Sequence, residues 1–125
     1  METKFFYCKH CGKVITMVVS AGTPTICCGE PMTELIANTS DGAIEKHVPV
    51  VTITNDLIEV VVGSVIHPML PEHFIQWIYL ETENGGQLKR LFPGIEPKSS
   101  FIIKNDKPFA VYEYCNLHGL WKSKL

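Results

Sequence analysis

Four of the chain's five cysteines fall near its start, as Cys8-x-x-Cys11 and the adjacent pair Cys27-Cys28. No other feature constrains the fold as strongly. A segment below ~40 residues buries too little surface to hold itself together and needs disulfides or a metal. Four thiolates saturate a tetrahedral ion, and zinc and iron suit such a set equally. In Cys-x-x-Cys-Gly the two sulfurs converge while Gly12 takes a backbone angle other residues resist. The second pair is unusual, because neighbouring side chains of an extended chain point to opposite faces. For Cys27 and Cys28 to reach one ion the backbone must bend, and a distorted tetrahedron is expected. A vicinal disulfide is the weaker alternative. His10, inside the knuckle, is read as solvent-facing.

Residues 1–36 therefore read as a rubredoxin-like or zinc-ribbon-like unit with strands at Lys4–Tyr7 and Val14–Val19. The small polar run 37–43 reads as a linker. From Ile44 to Leu125 the pattern is all-β, with no helical periodicity of useful length. Val48–Thr54 and Leu57–Val62 are rich in β-branched residues, and Phe74–Glu81 alternates Trp77 and Tyr79 against Ile78 and Leu80. Gln87–Phe92, Ser99–Lys104 and Phe109–Tyr114 follow. Asn84-Gly85 predicts a type I′ hairpin turn. About seven short strands fit a small β-sandwich, with Trp77, Tyr114 and Trp121 read as core rather than as an electron path.

The bulk numbers narrow the function. A formal net charge of −2 without any run of Lys or Arg argues against nucleic acid as a partner. The apolar stretches are far short of the ~20 residues needed to cross a bilayer. An odd cysteine count, and an N-terminus without an apolar export segment, favour a metal framework in the cytoplasm over disulfides.

The fifth cysteine belongs with histidines: His47, His67, His73 and Cys115-x-x-His118-Gly119. Singly, each histidine is better read as a strand-end or surface residue. Together they fall at predicted strand ends or loops, which can converge on one rim of a sandwich. Four imidazoles and one thiolate leave a six-coordinate metal with one open position. Met69 is not read as a ligand. Pro68 and Met69 are taken to shape the loop.

The chain resembles the desulfoferrodoxins, the two-iron form of superoxide reductase. The resemblance spans nearly the whole length. It rests on Cys8-x-x-Cys11 with Cys27-Cys28, Glu45-Lys46-His47-Val48-Pro49, Gly63-Ser64-Val65-Ile66-His67-Pro68-Met69 and Cys115-Asn116-Leu117-His118-Gly119. It implies a mainly β fold, with a desulforedoxin-like domain followed by an immunoglobulin-like β-sandwich. It implies two irons per chain and neither haem nor flavin. One iron would be held by Cys8, Cys11, Cys27 and Cys28. The other would take His47, His67, His73 and His118 as equatorial ligands and Cys115 as axial sulfur. A homodimer, a rubredoxin-like electron donor, superoxide attraction by Lys46 and closure of the ferric site by Glu45 are further implications.

Charge separates the two sites independently of any family. Four thiolates on a divalent ion leave it doubly negative, whereas one thiolate leaves a single positive charge. An anion such as superoxide is attracted to the second by roughly 4 kcal/mol at ~4 Å in an effective dielectric near 20. Only that site has a free position, so it is the expected catalytic one. The amides of Asn116, Leu117 and His118 are expected to donate to the Cys115 sulfur and tune it.

Overall fold

The computed structural model describes residues 2–125 and divides the chain into two compact units, one ending at Ile36 and the other Ala37–Leu125. In the first, β1 (Phe5–Tyr7) lies between β2 (Val14–Thr16) and β5 (Thr33–Leu35), all antiparallel. A hairpin of β3 (Ile26–Cys27) and β4 (Glu30–Pro31) completes it. The strand expected over Val14–Val19 stops at Thr16, because β1 offers only three residues to pair with. Val18 and Val19 are left exposed.

The second unit is an immunoglobulin-like sandwich of seven strands. One sheet runs β10 (Lys98–Ile102), β7 (Leu57–Val62), β6 (Pro49–Thr54). The other runs β12 (Gly119–Lys124), β11 (Pro108–Cys115), β8 (Ile75–Thr82), β9 (Gly85–Arg90). Alternate residues of β7, β8 and β11 meet in the middle: Ile58, Val60, Val62, Ile78, Leu80 and Val111 are fully buried, with Phe101 beside them. Each such side chain contributes about 1.5–3 kcal/mol of burial free energy. Cys115 belongs to this same cluster, so its thiol is anchored in the core rather than on the rim.

Several expectations are corrected. The chain from Ile44 is not wholly β: Ile44–His47 forms one helical turn, α1, before β6 begins at Pro49. The β8–β9 turn is Glu83-Asn84, and neither residue takes a positive φ, so it is not type I′. Gly85 instead opens β9 at φ +143. Trp77 and Tyr114 stack on each other at 5.7 Å and lie outside the core cluster, on the face opposite Ile78 and Leu80. Only Trp121 is buried. Strand β12 has no alternating pattern to announce it. Residues 37–43 group with the second unit, where Asn38 exchanges hydrogen bonds with Leu120 and Lys122 of β12. Among the described residues no helix is long and apolar enough to cross a membrane.

Candidate metal centres

The first centre is built by two tight turns. In the knuckle, Cys8 N–H donates to Lys13 and Gly12 N–H donates to Cys8, with Gly12 at φ +81. The adjacent cysteines are reconciled by the β3–β4 hairpin. Cys27 ends β3, and Cys28-Gly29 form its two-residue turn at φ +52 and +79. Positive φ at both central residues is the type I′ geometry, and it carries Cys28 round to the side that Cys27 faces. The four sulfurs lie within 4.8 Å of one another, with Cys11 and Cys27 at 3.6 Å, and all are free thiols.

Their acidities are split by this crowding. Backbone hydrogen bonding from Cys11 holds Cys8 down at about 6, whereas Cys28 is pushed up to about 12 by its hydrogen bonding with Cys8 and Cys11. Four thiols this close cannot all ionise without a cation, so the donor set fits a soft tetrahedral metal. His10 points away and pairs with Glu30 at 3.2 Å, both half exposed.

The second centre draws on three separate places in the sandwich. His47 comes from α1, His67 and His73 from the loop between β7 and β8, and Cys115 and His118 from the end of β11 and its turn into β12. Cys115 pairs with Gly119, which closes the loop at φ +79, so Asn116, Leu117 and His118 form a three-residue hairpin connection. All five donor atoms lie within 4.8 Å of one another. The imidazoles form a closed circuit in the order His47, His67, His73, His118. Neighbouring rings are 4.6–5.0 Å apart and cross at 71–82°.

The hydrogen bonds fix which nitrogens face inward. His47 Nδ1 lies 2.8 Å from the Ala43 carbonyl and His67 Nδ1 2.6 Å from the Pro68 carbonyl. A carbonyl only accepts, so both rings carry their proton on Nδ1 and present a bare lone pair at Nε2. Those two Nε2 atoms are 3.2 Å apart, and His73 Nε2 is buried with no partner. Lone pairs converging in this way are stable only around a cation, which is the observation that fits a metal to this site. His118 turns Nδ1 toward Cys115 Sγ at 3.7 Å. Burial lowers the basicity of His47, His67 and His73, taking His67 to about 4, so all three stay neutral as ligands require.

Burial pushes the Cys115 thiol up, and the backbone N–H groups of Leu117 and His118 oppose this. Of the three amides expected at the sulfur, that of Asn116 is elsewhere: it donates to the Phe74 carbonyl. The remaining expected residues flank the site. Glu45 and Lys46 are exposed on α1, and the Glu45 carboxylate is not among the converging donors. The Lys46 charge is felt at both His47 and His73, lowering their basicity.

Three supporting residues were missed by sequence reasoning. Gly42 touches the site: a Cβ there would lie 3.2 Å from His47, 3.2 Å from Trp121 and 3.3 Å from His118. At Gly63 a Cβ would lie 2.6 Å from the Glu45 carbonyl oxygen, which already accepts from Val65 N–H and Ser64 Oγ. Glu113 is fully buried on the face of β11 that carries Val111 and Cys115, with both carboxyl oxygens unpartnered, and burial raises its pKa well above the usual range. An acid at a core position of an alternating strand was a legible signal. The close approaches of Gly42 and Gly63 had none.

Comparison with known proteins gives a consistent picture. The desulfoferrodoxin family model matches residues 39–124. A desulfoferrodoxin from Nitratidesulfovibrio vulgaris is 46% identical over 123 residues, covering 98% of this chain and 97% of the relative. A superoxide reductase from Pyrococcus horikoshii is 39% identical over 100 residues, covering 65% of this chain and 86% of its own. The crystal structure of the superoxide reductase from Treponema pallidum superposes with a TM-score of 0.83 at 39% identity, covering 99% of this chain and 100% of that one.

Proposed function

Because this chain belongs to the desulfoferrodoxin family, we infer that it is a superoxide reductase, adding one electron and two protons to superoxide to give hydrogen peroxide. The observation that carries this reading is the ring of four neutral imidazoles closed by one buried thiol. His47, His67, His73, His118 and Cys115 would hold iron, which would supply the electron and an open position for superoxide. The other iron, that of the first centre, would be held by Cys8, Cys11, Cys27 and Cys28, a set with no free position.

The residues themselves divide the remaining work. Ala43 and Pro68 hold two rings in the tautomer that offers Nε2. Leu117 and His118 donate backbone N–H groups that offset burial of the Cys115 sulfur. Lys46 draws the anion in. On a strict strand, its side chain would point away from that of His47. On α1 successive side chains are turned by about 100°, so ammonium and imidazole can serve one site. Glu45, next on the same turn, is the side chain to close the open position when the oxidised protein rests.

A rubredoxin-like protein is the proposed electron donor. Pairing of two copies is supported by Val18 and Val19, which are 99% and 84% exposed. A cytoplasmic location is supported by five free thiols, two sets of which serve as ligands only when kept reduced.

The test is metal content followed by rapid mixing. Two irons per chain and fast oxidation of the reduced protein by superoxide are expected. Zinc in both sites, or a reduced protein inert to superoxide, contradicts the proposal.

A further inference from the structure

We propose that Asn116 is the positioning residue for His73, holding that ligand in register with the thiolate of Cys115. The inference rests on the reading that the five side chains bind iron. His47 and His67 are each oriented by a carbonyl at Nδ1. His73 is held differently: its Nε2 is buried without a partner, and the hydrogen bonds around it are made by the backbone on either side.

The Asn116 side chain makes both of those bonds. Its Oδ1 accepts from Phe74 N–H at 2.9 Å, and its Nδ2 donates to the Glu72 carbonyl at 3.0 Å. Its own backbone N–H donates to the Phe74 carbonyl at 3.2 Å. A single amide thus clasps the residues immediately before and after His73. On its far side, His73 exchanges two backbone hydrogen bonds with Leu70. The backbone of His73 is fixed from both directions while its ring remains free to meet the metal.

The location explains why a side chain is needed. The β8–β11 ladder is irregular between Tyr114 and Cys115: Tyr114 faces Trp77 but Cys115 faces Ile75. Past that irregularity β11 turns away into its hairpin loop, and backbone pairing alone cannot reach Glu72. Asn116 extends the ladder with its side chain. The job requires a donor and an acceptor on one short planar group. Asp lacks the donor, Ala both, and Gln is a methylene too long. Because Asn116 directly follows Cys115, the same residue ties the Cys115 sulfur to an imidazole from a distant part of the sequence.

The test separates positioning from general stabilisation. Loss of the second iron to a chelator is followed at that site's own thiolate absorption in the iron-loaded chain. Asn116→Ala should weaken retention about tenfold, the low end of what loss of an outer-shell partner does. In a His73→Ala chain the same change should add less than about twofold, since the ligand it positions is gone. Equal effects in both backgrounds would make Asn116 merely structural and overturn the proposal.

Hydrogen exchange at the Phe74 amide of the metal-free chain provides a second measurement that needs no iron. It should quicken in Asn116→Ala but stay near wild type in Asn116→Asp, which keeps the acceptor. Unchanged exchange in Asn116→Ala overturns the clasp. A wild-type chain that holds no second iron overturns the functional reading instead, and the exchange experiment still decides the clasp.

Discussion

Acid should unfold the metal-free sandwich in a way set by its buried ligands, with Glu113 pulling in the opposite direction. His67 falls from an ordinary 6.5 to about 4 in the folded chain, chiefly by burial. A base with a depressed folded value is neutral in the fold while the unfolded chain takes up a proton. Its contribution is therefore complete above pH 6.5 and lost as pH falls toward 4. That shift corresponds to about 3 kcal/mol at ~1.4 kcal/mol per pKa unit. His47 and His73 are lowered as well and act in the same direction.

Glu113 has the opposite sign. Its carboxyl stays protonated in the fold while the unfolded chain ionises above 4.5, so stability falls as pH rises beyond that point. Between pH 4.5 and 6.5 three histidines act together against one carboxyl. Above 6.5 only the carboxyl is left. The stability of the second unit should pass through a maximum near pH 6–7. Both tryptophans lie in this unit, so tryptophan fluorescence in urea at a series of pH values reports it alone. Glu113→Gln removes the opposing titration and should convert the maximum into a plateau above pH 6.5. A profile flat between pH 5 and 8 in both proteins, or a wild type that gains stability on acidification from 6.5 to 5, would refute the reasoning.

Other perturbations separate the parts of the molecule. Cys11→Ser should loosen the first iron yet leave the reaction with superoxide intact, while Cys115→Ser should abolish both turnover and the thiolate band of the second iron; equal loss of turnover in both, with the sandwich folded and iron-loaded, would dissolve the division of labour. Lys46→Ala should slow the bimolecular reaction with superoxide and flatten its dependence on ionic strength, since steering is screened by salt, while metal content and spectrum stay the same. Gly63→Ala places a methyl carbon 2.6 Å from the Glu45 carbonyl oxygen, and should cost about 1–3 kcal/mol in urea unfolding as α1 is displaced; a neutral result would mean α1 is not held where it lies.

Both ligand sets were legible because cysteine and histidine are scarce and their spacing announces them. Cys8-x-x-Cys11 and Cys115-x-x-His118 each draw two donors from one turn, a local matter. The bend at Cys27-Cys28 was expected, but its means, a type I′ hairpin with a cysteine at positive φ, was not. The helical turn at Ile44–His47 escaped notice because four residues carry no periodicity, yet it keeps Lys46 and His47 from pointing to opposite faces as they would on a strand. Gly42, Gly63 and Asn116 act through contacts with residues far along the chain. No pattern local to them encodes such a contact, and only the assembled sandwich discloses it.

The central claim is reduction of superoxide at the imidazole-ringed iron, and product stoichiometry tests it most directly. Reduced, iron-loaded protein is given superoxide in less than one equivalent, and peroxide and dioxygen are counted together. One peroxide per superoxide with no dioxygen is the predicted result. Half a peroxide and half a dioxygen per superoxide, the stoichiometry of dismutation, would contradict it.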